Sequence, residues 1–123
     1  EPLVMVGDVR AESVRQAASQ LLGQHSEITA LFCFNDHMAI GALHHAKQVG
    51  KQVPEQLSIV GFDDNELAAY AEPGLTTVAQ PLELLGERAL QLAQALIAGE
   101  AHEPQAQLLP ELVVRQSTAV PAI

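Results

Sequence analysis

The chain has 123 residues, enough for about one domain. Its formal net charge of −9, with only six Lys and Arg, makes this segment a poor grip for phosphate backbones and sends any nucleic-acid contact to some other part of the protein. Nearly half of the residues are hydrophobic (48%), yet there is no Trp and only three Phe and one Tyr, so an aliphatic core is expected.

Residues 3–7 (LVMVG) form a short apolar run closed by Gly-Asp, which predicts a strand. After Asp8, the residues Val14, Ala17, Ala18, Leu21 and Leu22 repeat at helical spacing, and Gly23 stands where a left-handed cap would end that helix. The second apolar run, 30–34 (ALFCF), holds the single cysteine. Cys33 has no disulfide partner and reads as a buried, inert thiol, in keeping with a reducing compartment. Asn35 or Asp36 is placed to cap the next helix, whose inward stripe is Met38, Ala39, Ala42, Leu43 and Ala46 and whose end is Gly50. Ile40 falls off that stripe and is expected at the surface.

The third run, 57–62, has the composition of a strand buried on both faces and leads into Asp63 and Asp64. Carboxylates past the C-terminal end of such a strand sit where open α/β sheets hold ligands. They equally suit a loop or helix cap, and spacing alone favours neither reading. Residues 65–71 predict a short helix, 75–78 (LTTV) an extended crossing segment, and Pro81 the first turn of a long helix with one broad apolar face (Leu82, Leu85, Ala89, Leu90, Ala93, Leu96, Ile97) that Gly99 ends. Glu83 and Glu87 suit its positive end. After a polar loop at 100–107, residues 108–109 and 112–115 offer one or two edge strands. Alternation of strand and helix predicts an α/β fold in three layers, a mostly parallel sheet flanked by helices.

The five histidines lack the spacing of a zinc helix and read as a solvated face, so no metal is expected. No nucleophile elbow and no phosphate-cradling glycine loop is present, which argues against an enzyme, including one of Rossmann or flavodoxin type, and implies no cofactor. Neither a signal peptide nor an apolar run near 18 residues occurs, and the start at Glu1 fits a fragment or processed chain.

Four ordered blocks carry a family resemblance: NDHMAIGAL from Asn35, SIVGFDD from Ser58, PGLTTVAQP from Pro73 and LPELVVRQST from Leu109. Together they resemble the C-terminal part of the effector-binding domain of LacI/GalR (lac-repressor-type) transcriptional regulators. The resemblance implies a type I periplasmic-binding-protein-like lobe, incomplete here. Residues 1–74 and 106–118 would belong to the C-terminal lobe, and 75–105 to a crossing segment and helix that packs on an N-terminal lobe absent from the chain. The lobe's first strand and helix, and the helix-turn-helix that reads operator DNA, would also be missing. The uncovered helix and strand edge of such a piece lead us to expect an oligomer or a rearranged packing.

By the same resemblance, Asp63, Asn35 and Gln80 would contact a small polyhydroxylated effector such as a sugar or nucleoside. Val9 occupies a position where relatives often carry a stacking aromatic ring. Ile40 and Tyr70 would lie at a dimer interface. The implied protein is a cytoplasmic homodimer or higher oligomer with no membrane contact. The alternative is a periplasmic sugar-binding protein of a transport system, which shares the fold.

Overall fold

The structure is a computed structural model and describes residues 3–8, 10–100 and 107–121. Helix α1 (Ala11–Gln24) turns Val14 and Ala18 inward against helix α2 (Asp36–Gln48), which buries Ala39, Ala42, Leu43 and Ala46. The helices approach closely because Gly41 has no side chain. A Cβ there would stand 2.7 Å from Val14 Cγ1. α1 runs through Gly23 and ends when His25, with φ −131°, donates its N–H to Leu21 O. Gly23 is therefore not the left-handed cap; one glycine costs a helix only about 1 kcal/mol, and the last turn closes on an ordinary backbone. Gly50, with φ 72°, does take the left-handed turn after α2.

Strand β1 (Ala30–Phe32) pairs in parallel with β2 (Ser58–Val60), Leu31 opposite Ile59. Isolated parallel bridges, Val60 to Thr76 and Asp63 to Ala79, carry β2 onto β3 (Thr77–Ala79). β3 pairs antiparallel with β4 (Glu111–Val113), Val78 opposite Leu112. The sheet is thus parallel through its centre and antiparallel at one edge. Residues 3–7 form no strand, and Leu3, Val4 and Val6 are exposed. A strand exists only through its ladder, and no described segment pairs with this run. Residues 108–109 also stay outside the sheet, so the C-terminal segment supplies one edge strand.

Leu57, Ile59 and Leu75 are fully buried and, with the α2 alanines and Ala68, make the core; each such side chain gains about 1.5–3 kcal/mol on leaving water. Ser117, also buried, clamps the C-terminal segment over β2: its hydroxyl donates to Ile59 O (2.6 Å) and accepts from Thr76 N (2.8 Å). Short helix α3 (Glu66–Tyr70) starts at Asn65, whose side chain accepts from Ala68 N. The long helix α4 (Leu82–Ala98) begins after Pro81 and ends at Gly99, φ 68°. None of its residues is buried, and its apolar stripe lies uncovered.

Candidate functional site

The parallel strands deliver two carboxylates to one turn. Asp63 (φ 104°) and Asp64 (φ 52°) both have positive φ, a conformation that costs a non-glycine residue about 1–3 kcal/mol unless its surroundings hold it. They do so here through three backbone donors. Asp63 N–H bonds Val78 O (2.9 Å), Asp64 N–H approaches Thr77 Oγ1 (3.4 Å), and Asn65 N–H bonds Asp36 Oδ2 (2.7 Å).

The two carboxylates engage different partners. Gln80 Nε2 donates to Asp63 Oδ1 at 2.7 Å. Asp64 Oδ1 pairs with Arg115 Nη2 at 2.8 Å, in a site where both side chains are about four-fifths shielded, and Arg115 Nη1 donates to Leu75 O. An open cleft of about 510 Å³ lies beside them, bordered by Asp63, Asp64 and Gln80 and, on the first turns of α4, by Leu82, Glu83 and Glu87. Four carboxylates border it, and only Asp64 among them is neutralised by the Arg115 guanidinium. Asp63, held by a neutral amide, keeps acceptor capacity for further donors.

The expected site residues do not all converge. Asp63 and Gln80 share the cleft wall and a hydrogen bond. Asn35 is not among the residues bordering the cleft; its Oδ1 accepts from Met38 N (2.9 Å) and so caps α2. Val9 lies outside the described residues. Ile40, expected at the surface, is half-buried and packs against the core, because its side of α2 turns toward the core cluster. Tyr70, on α3, is 78% exposed. His45 departs from the solvated-face expectation: it is buried on α2, with Nδ1 unbonded. Burial pushes the half-buried Cys33 thiol up to about 11. Among the described residues no group of three or more His, Cys, Asp or Glu is placed to hold a metal ion.

Sequence reasoning missed the side chains that hold the turn. Asp36 is fully buried, accepts from the Thr77 hydroxyl and from Asn65 N–H, and donates its own N–H to Phe62 O. Its adjacency to Asn35 suggested a cap, and the cap is Asn35. A charged residue directly before an apolar helix stripe was the signal that was available. Arg115, the one cation ending an apolar run, was the corresponding signal for Asp64.

The model of the periplasmic binding protein-like domain matches residues 2–118. The chain belongs to that family. Within it, the chain is 37% identical over 115 residues to the HTH-type transcriptional repressor PurR of Photobacterium profundum, a match that covers 93% of the chain and 34% of the relative. The structure of the transcriptional regulator CelR in complex with cellobiose superposes with a TM-score of 0.82 at 38% identity, over 90% of this chain and 34% of that one. The dimeric lac repressor with an 11-residue C-terminal deletion superposes with a TM-score of 0.86 at 34% identity, over 94% and 43%. The chain thus spans about a third of the length of the curated relatives it matches. The lac-repressor-type resemblance carried by the four blocks is borne out, and so is the periplasmic-binding-protein-like α/β fold. These relatives are transcriptional repressors and regulators rather than enzymes. No helix among the described residues is long and apolar enough to cross a membrane.

Proposed function

We propose that this chain is the C-terminal part of the effector-sensing domain of a cytoplasmic lac-repressor-type regulator, and that Asp63 and Gln80 contact a small polyhydroxylated effector. The observation that carries the reading is the Asp63–Gln80 pair at the cleft wall. The carboxylate accepts from vicinal hydroxyls, while the amide offers both a donor and an acceptor. Such a wall also rejects analogues lacking those hydroxyls, because its polar groups would then be left unpaired.

The sensing mechanism is differential affinity. Effector binds one arrangement of the lobes more tightly, and shifts the DNA-binding equilibrium by the difference. On this reading residues 1–74 and 106–118 form one lobe, and α4 within 75–105 packs on the other. Asn35 serves as cap and as effector contact through its amide nitrogen. Ile40 and Tyr70 take part in a homodimer, as the lac repressor is dimeric. Repressors among the relatives favour a regulator over a periplasmic transport receptor. The test is a thermal-shift screen of neutral sugars and nucleosides on the full-length protein, followed by operator binding with the stabilising compound. A compound that raises Tm and changes operator affinity supports the reading; stabilisation with unchanged operator affinity contradicts it.

A further inference from the structure

Asp36 is the most deeply buried charged residue among those described, with no exposed surface at all. A carboxylate in that position is costly unless its oxygens are bonded. Both oxygens are bonded, and both partners are neutral donors: the Thr77 hydroxyl on Oδ1 and the Asn65 N–H on Oδ2. Thr77, itself fully buried, turns its oxygen to the Asp64 N–H as well. The chain of contacts therefore runs from the first turn of α2, through β3, into the backbone on the far side of Asp63. From the other direction, Asp36 N–H bonds Phe62 O, one residue before Asp63. Gly61 completes the arrangement: a Cβ there would collide with Asp36 Oδ1 and crowd Leu75 Cδ2. The turn holding Asp63 is thus gripped on both sides by one buried residue, through the Asp36 N–H before Asp63 and the Asp36 carboxylate after it.

We infer that Asp36 is a positioning residue for the cleft, acting through Thr77 and the backbone of 62–65 to hold the Asp63 carboxylate toward Gln80 without touching the effector. The assignment rests on the effector reading for its purpose, although its geometry does not. A carboxylate suits this place better than an amide, because two donors converge on it; Asn would turn an N–H onto one of them.

The experiment is amide hydrogen exchange on the ligand-free full-length protein, so that failure of the effector reading leaves the result interpretable. Thr77→Val removes the hydroxyl, Thr77→Ser restores it, and Asp36→Asn replaces one acceptor with a donor. The inference expects exchange at Asp63, Asp64 and Asn65 to rise about tenfold or more in Thr77→Val and Asp36→Asn, as loss of a bond to a buried charge implies. Exchange in α1 should stay within about twofold, and Thr77→Ser should behave as wild type. Unchanged exchange at 63–65 in Thr77→Val would overturn the inference. So would an equal rise throughout α1 and α2, since that marks loss of overall stability rather than of a positioned turn. Should Asp36→Asn fail to fold, the Thr77 pair decides.

Discussion

Two adjacent aspartates with the same chemistry take different roles because their neighbours differ. Asp64 is committed to Arg115 in a shielded ion pair, whereas Asp63 meets only the Gln80 amide. Arg115→Met should therefore lower folding stability by about 1–3 kcal/mol, read from the denaturant midpoint, because it leaves a partly buried carboxylate unpaired. An unchanged midpoint would show that the pair contributes nothing to the fold. Cys33 makes a separate test at this scale. Its thiol titrates at about 11 instead of 9.0 through burial, so its thiolate fraction at pH 8 is about a hundredfold below that of a free cysteine and alkylation by iodoacetamide should slow accordingly. The sign for stability follows. A group whose folded pKa is raised contributes fully below pH 9 and loses that contribution as pH climbs through about 11. For the interface reading, Tyr70→Glu is a cleaner probe than a change at Ile40, which packs against the core. Light scattering on the full-length protein should show dissociation; an intact dimer would remove Tyr70 from the interface.

Elements were legible in the sequence wherever local pattern and tertiary packing agree. The α2 stripe, the Gly50 and Gly99 turns and the buried strand at Ile59 all appear where periodicity and turn chemistry put them. Two of the failures share a physical cause, which is that apolarity needs a partner. Residues 3–7 have a strand's composition and no strand beside them. Ile40 stands off the counted stripe, yet the neighbouring packing reaches it. The cleft was legible only in part: the strand-end position pointed at the Asp63–Asp64 pair and the family resemblance singled out Asp63, but the Asp36–Thr77 support joins residues 41 apart in the chain and leaves no local spacing to read. Gly41 gives this scale its test. Gly41→Ala forces a methyl group against Val14 and should destabilise by about 1–3 kcal/mol, as overpacking does, despite alanine's better helix propensity. A stabilised variant would show that the α1–α2 contact has room to relax.

At the scale of the whole molecule, the uncovered face of α4 and the open cleft beside its first turns belong together. A 17-residue helix that buries none of its residues, with Leu90, Leu96 and Ile97 exposed, presents an apolar stripe of the kind that marks a contact surface. A cleft bordered on one side by that helix is correspondingly open. In the proposed arrangement a second lobe covers α4 and shares in closing the cleft over effector. Leu90→Ala should then cost the full-length protein about 2–3 kcal/mol, as core truncations do, and leave this chain alone nearly unchanged. The most direct test of the effector reading is a calorimetric titration of the full-length protein with the sugar or nucleoside selected by the thermal-shift screen, repeated on Asp63→Ala. Asp63→Ala should bind at least about tenfold more weakly while its unliganded Tm stays near wild type, as expected when a carboxylate's bonds to ligand hydroxyls are removed. Equal affinity in wild type and Asp63→Ala would contradict an effector contact at Asp63.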